Sequence, residues 1–231
     1  MKYKGKENIQ IVDEITLNHY PDDSKSRSSY LPLLKLSVKE NPNNDRNMHY
    51  LGREYMFYGK NIEAIKTLKK HLKLESATWK DERCASMRFI ARCYKRIGKY
   101  NKAKKWINLA IKEAPYLREP FVEGALIDYE LKNWNNVIDK CFRALDIKRN
   151  NKTYINEVFC YDHTIYDLLS LAFYEKELYQ FSLISVNKAL NITHNEPRLL
   201  NNKKLIENAL KQKILTKVRI FSNNDNNIEF N

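Results

Sequence analysis

The stretch from Cys84 to Pro115, CASMRFIARCYKRIGKYNKAKKWINLAIKEAP, constrains the fold more than any other. Met87, Ile90, Ala91 and Tyr94 recur at spacings of three and four, Gly98 interrupts the run, and Tyr100, Ala103, Ile107, Ala110 and Ile111 resume it before Pro115. Apolar residues at that period line one face of a helix, so the stretch reads as two helices folded back on each other about a glycine turn. Ala91 and Ala103 carry the tightest constraint. They stand where the two helices must approach, and a longer side chain at either place would hold the pair apart.

The order of large, small, aromatic, Gly, aromatic, small, large, small and Pro resembles the tetratricopeptide (TPR) pattern, and it can be phased along the chain. A first full repeat runs from Arg46 to about Leu74, with Gly52 for helix contact and Gly59 for the turn; a weaker third covers Phe121 to Ile147 and a fourth Tyr166 to about Ile192. The small residue opening each second helix gives the series Ala64, Ala103, Val137 and Ser182, with steps of 39, 34 and 45. A TPR unit is about 34 residues long, so the surplus falls in two insertions, LESATWKDER at 74–83 and KRNNKTYINEVFCYDH at 148–163. Such extra segments often lie on a functional face. His71 stands where the second repeat has Ala110, a departure expected to tilt the next helix or leave this one partly exposed.

Before the first repeat, Tyr30 to Val38 reads as half a hairpin, a lone second helix ending at Asn41-Pro42. After Pro197 an apolar stripe with a basic opposite side reads as a capping helix, which a terminal repeat needs. Residues 7–20, ENIQIVDEITLNHY, alternate apolar and polar and suggest one or two short strands. The expected fold is therefore all-α, a right-handed TPR-like superhelix of antiparallel helix pairs with a short β segment at the N-terminus. It divides into a strand segment at 1–22, a helical repeat domain at 23–213 and a C-terminal tail at 214–231, the last residues being Asn-rich and frayed.

Composition narrows the function more by exclusion. No apolar run is long enough for a membrane span, and the N-terminus lacks the apolar core of a signal peptide, so the cytoplasm is the expected location. Cys84, Cys93, Cys141 and Cys160 have no CxxC spacing for a metal or redox pair and are expected as reduced core thiols. The net charge is +13, which invites a nucleic-acid reading, but the basic clusters KRIGKYNKAKK and NNKKLIENALKQK have few interleaved aromatics, and RNA binding ranks low. No Ser-His-Asp set, Gly-rich phosphate loop or HExxH motif stands out, and no catalytic residue, cofactor or metal ligand is assigned.

With the repeats in place, HYPDDSKSR, LPLL, NDRNMHYLGREYMFYG, ATWKDER, SMRFIARCY and APYLREP together resemble the C-terminal TPR region of family 2 glycosyltransferases, over roughly residues 8–210. The resemblance implies that IQIVDEITLNHYPD is similar to the closing strand of a sugar-nucleotide domain. That domain's βα sheet and Asp-x-Asp type metal motif are missing here; Asp22-Asp23 reads as a helix cap, and His19, which resembles the family's His before the repeats, as a surface residue.

In a TPR array the first helix of each pair lines the concave side. The candidate groove is accordingly Arg46, His49, Arg53, Arg88, Arg92, Lys95 and Arg96 at a basic N-terminal end, and Glu119, Tyr129, Glu130, Asp167, Tyr174 and Glu175 at the other. Clustered guanidinium forks accept carboxylate or phosphate oxygens in pairs, so an acidic partner is expected, against the alternative that Arg53 and Arg88 pair with acids such as Glu54 or Glu82. Trp106 and Trp134 are expected in the core, while Trp79, in the first insertion, is open to either role. The leading reading is a non-catalytic scaffold that docks a protein acceptor or partner enzyme. The alternative is the non-catalytic part of a split or truncated glycosyltransferase working with a separate catalytic chain.

Overall fold

In the computed structural model the described residues are 30–148 and 153–225, with side chains followed to residue 216. Helix follows helix along them. α1 (Tyr30–Glu40) stands alone, and four hairpins come next: α2 (Asp45–Phe57) with α3 (Asn61–His71), α4 (Lys80–Arg96) with α5 (Tyr100–Glu113), α6 (Glu119–Glu130) with α7 (Trp134–Asp146), and α8 (Thr164–Glu175) with α9 (Tyr179–Thr193). α10 (Pro197–Asp225) closes the array. No strand occurs among the described residues; the one expected at 7–20 lies outside them. The tail expected from residue 214 begins inside α10, which continues to Asp225.

Local chemistry sets the boundaries. Asn44 caps α2 by accepting from the Asn47 backbone N–H at 2.9 Å, which satisfies one of the free donors of the first turn. Each hairpin turns on one residue in the left-handed region: Gly59 (φ 69°), Gly98 (φ 72°), Lys132 (φ 56°) and Glu177 (φ 56°). Glycine meets that demand without strain, and the two later repeats meet it with a side chain in place.

The small residues are where close approach is needed. Ala64, Ala103, Val137 and Ser182, which open the second helices, have no exposed surface. A Cβ on Gly52 would lie 2.5 Å from Leu68 Cδ2, and one on Gly124 2.9 Å from Ile107 Cγ2. The core is correspondingly a ribbon of linked clusters. Met56, Ala64 and Leu68 pack with Phe89, Ile90 and Ile107; Val122, Val137 and Cys141 pack with Ile165 and Leu169; Val186 and Ala189 are covered by Leu199 and Ile206 of α10. That last contact is the capping role expected of α10. All four thiols are buried and unpaired. Trp106 and Trp134 pack at the margins of these clusters.

Neighbouring hairpins stack through their first helices. α2 touches α4, α4 touches α6 and α6 touches α8, besides the contacts of each second helix with the helix that follows it. α2, α4, α6 and α8 therefore form one continuous inner wall. No described helix is long and apolar enough to cross a membrane.

Candidate functional site: the inner wall and its strap

Arg88 and Arg92 lie one turn apart on α4 and share one carboxylate from α6. Arg88 Nη1 donates to Glu123 Oε1 at 2.5 Å, and Arg92 donates to both Glu123 oxygens, Nε to Oε2 at 2.9 Å and Nη2 to Oε1 at 2.8 Å. Arg88 is 1% exposed and Glu123 4%. Burial alone would raise the Glu123 carboxyl, but the two guanidiniums outweigh it and hold the group below the usual carboxylate range. Burial likewise works against the charge on Arg88, and Glu123 overrides it, so the guanidinium is held still more firmly protonated. The partners of Arg88 and Arg92 are thus acids of the next repeat and of the strap described below, not Glu82.

The second insertion supplies a further set of partners. From Thr153 to His163 the chain makes a turn and a short 3-10 segment (Val158–Cys160) before α8, and in doing so it lies across the inner wall as a strap. The Tyr154 ring meets Tyr50 edge-on at 5.7 Å and Trp79 at 5.6 Å, and its hydroxyl donates to Glu82 Oε2. Ile155 is 5% exposed and joins the core of the first two repeats, while its carbonyl accepts from Arg88 Nη2 at 3.1 Å. The Asn156 amide donates to Glu119 Oε1 at 2.7 Å. Glu157 accepts from Arg92 Nη2 at 2.6 Å. Four consecutive residues are each held by a different group of the wall.

The remaining candidates are spread along that wall. Lys95 pairs with Glu130 at 2.6 Å, and Tyr100 donates to the same carboxylate at 3.2 Å. Arg96 reaches back to the Met56 carbonyl at 2.7 Å. Arg53 lies over the Tyr50 ring, 4.8 Å from its centroid, and Arg46 is exposed. Tyr129 stacks edge-on with Trp134, and Tyr174 packs against Tyr179. Asp167 takes a bidentate fork from Arg198 of α10. Arg88, Arg92, Glu119 and Glu123 are brought together around the strap; Tyr129, near the far end of α6, and Tyr174, on α8, do not join them. A cavity of about 190 Å³ remains beside the strap, lined by Arg92, Lys95, Arg96, Glu123, Leu126, Ile127 and Phe159.

His49 is not a groove residue. It is fully buried, its Nδ1 2.7 Å from Ser86 Oγ, and the same hydroxyl lies 2.9 Å from His71 Nδ1. His71 Nε2 in turn lies 3.3 Å from Glu82 Oε1. The expectation that His71 would leave its helix partly exposed is not met: the imidazole has no exposed surface, and Ser86 and Glu82 of α4 lie against its two nitrogens. Burial pushes His49 down to about 3, so it is neutral. Glu82, which burial would raise, is instead held below its ordinary value by hydrogen bonds from His71 and Tyr154. Ser86, His71 and Glu82 form a Ser-His-Glu line, but the hydroxyl is buried between two imidazoles with no face for a substrate carbonyl. His49, His71 and Glu82 also offer donor atoms within 4.8 Å of one another, a metal-ligand grouping that the sequence hides because its members come from three helices.

No protein-family profile matches the chain, and no curated protein matches it. Solved structures do. MamA superposes with a TM-score of 0.59 at 18% identity, covering 78% of this chain and 99% of that one. YrrB, described as a TPR protein with an unusual peptide-binding site, gives 0.59 at 11% identity, covering 77% of this chain and 84% of that one. TTC0263, a thermophilic TPR protein of Thermus thermophilus, gives 0.51 at 16%, covering 78% and 88%. At these identities the likeness is one of fold, and the fold is a TPR superhelix.

Proposed function

We propose that the chain is a non-catalytic TPR scaffold that docks an acidic segment of a partner protein on the inner wall of α2, α4 and α6. The strap carries the reading. Tyr154 to Glu157 is itself a short segment, turned at Tyr154–Ile155 and ending in a carboxylate, that lies on that wall with an aromatic ring in the Tyr50–Trp79 slot, a main-chain carbonyl on Arg88 and a carboxylate on Arg92. These are the contacts by which a groove recognises a peptide: charge-assisted forks on carboxylates and carbonyls, and a slot for a large side chain. The peptide-binding site of the similarly folded YrrB is in keeping with this role. A partner enters by displacing the strap, which therefore competes with it.

The test uses the full chain with the strap weakened by Tyr154→Ala and Glu157→Ala, and a labelled peptide of sequence TYINEVF. The weakened chain should bind the peptide, and the unaltered chain should bind it at least tenfold more weakly. Adding Arg92→Ala should abolish binding. A weakened but folded chain that ignores the peptide would overturn the reading. The resemblance of ATWKDER, SMRFIARCY and APYLREP to family 2 glycosyltransferases supports a finer reading, in which the docked partner is a glycosyltransferase catalytic chain or its protein acceptor in the cytoplasm. Co-purification of such a chain with this one checks it.

A further inference from the structure

We propose that His49, His71 and Glu82 bind one transition-metal dication of the zinc class between α2, α3 and α4. This inference does not rest on the docking role, although Tyr154 of the strap touches both places.

The donor set is two imidazoles and a carboxylate, all buried. Zinc takes such ligands at about 2.0–2.2 Å in a tetrahedron, whose donors are then about 3.3 Å apart. His71 Nε2 and Glu82 Oε1 are 3.3 Å apart, and the whole set closes within 4.8 Å, so only His49 has to draw in. Ser86 prepares the pair. Its hydroxyl oxygen has two lone pairs, lies 2.7 Å from one Nδ1 and 2.9 Å from the other, and so can accept an N–H from both rings. In that pair of tautomers both Nε2 lone pairs are left for a cation, which takes the place of the proton between His71 and Glu82, and this is how the orienting partner of a metal-binding His works.

His49 Nε2 is the second observation. It is buried and has no hydrogen-bond partner, a costly state for a polar atom unless something fills it. Tyr154 holds the other oxygen of Glu82 and closes the site from the strap side. Two nitrogens among three donors favour zinc, cobalt, nickel or copper over magnesium and calcium, which take oxygen. Three protein donors leave the fourth position to water. Arg88, two residues beyond Ser86 on α4, is balanced by Glu123. The competing occupant is a single proton shared between His71 and Glu82.

The experiment takes the full, tag-free chain after chelator treatment and titrates it with Zn²⁺ by calorimetry and with Co²⁺ by visible absorption. One ion per chain is expected, with the intense bands of four-coordinate cobalt, lost when zinc is added, and a raised midpoint of thermal unfolding. Ser86→Ala should weaken affinity by about 10–100-fold, and His71→Ala with Glu82→Gln should abolish it. Absent or substoichiometric binding, or equal binding by that double variant, overturns the site in favour of the proton or of surface ions. If the variants do not fold, X-ray absorption at the zinc edge of the unaltered chain decides: two imidazoles in the shell are expected, and an oxygen-only shell overturns the proposal.

Discussion

Glu123 holds two guanidiniums on one carboxylate with almost no water, and at the scale of single residues this is the costliest arrangement to disturb. Removing one partner of a buried ion pair leaves the other charge uncompensated, typically at about 3–5 kcal/mol. Glu123→Gln should therefore lower the unfolding free energy by about that amount at neutral pH, read from urea denaturation. The same group sets a pH dependence. Its folded-state pKa lies below the ordinary 4.5, so on acidification the unfolded chain takes the proton first. Its contribution is complete above about pH 4.5 and is lost as pH falls through the lowered value; the unaltered chain should lose more stability than Glu123→Gln over that range. Sequence placed these arginines on the first helix of their pair without revealing their partners. Glu123 is 35 residues from Arg88 and Glu157 is 65 from Arg92, and nothing local in a helical pattern pairs residues so far apart. His71 misled for the same reason: at an alanine position it reads as a flaw, and only Ser86 and Glu82 on the next repeat make it a fit.

Helix pairs are the level at which the sequence spoke most plainly, because the spacing of small residues and turn glycines is a local property. Every repeat inferred from Ala64, Ala103, Val137 and Ser182 is a hairpin, and all four are buried at the crossing. The turn position offers a reciprocal check. A Cβ at Gly98 would meet nothing within 4 Å, yet φ is +72° there; Gly98→Ala should cost about 1 kcal/mol through the backbone alone. Lys132 occupies the matching position of the third repeat at φ 56°, and Lys132→Gly should give back up to about 1 kcal/mol. Paired urea curves would show the two shifts with opposite sign. The insertions were legible as surplus length only. That 153–163 returns across the wall depends on Tyr154, Ile155 and Glu157 meeting Trp79, Arg88 and Arg92, a complementarity between segments that periodicity does not encode.

The whole molecule is a stack in which each repeat meets its neighbours, so stability is distributed along one axis. α10 covers Val186 and Ala189 at one end, and a chain ending at Asn195 should lose hydrogen-exchange protection in α8 and α9 while α2 to α6 keep theirs. Loss of protection throughout would mean that the array melts as one unit. The strap is the exception to nearest-neighbour order, since it ties Glu82, Arg88 and Arg92 to residues 65 to 72 positions away. Synthesis runs from the N-terminus and folding begins there, so Tyr50, Trp79, Arg88 and Arg92 leave the ribosome well ahead of Tyr154 and Glu157. For that interval the nascent polypeptide displays an unfilled trough of aromatic and guanidinium groups. Foreign acidic segments meet the growing chain unopposed, whereas the finished one must first be persuaded to let go of itself.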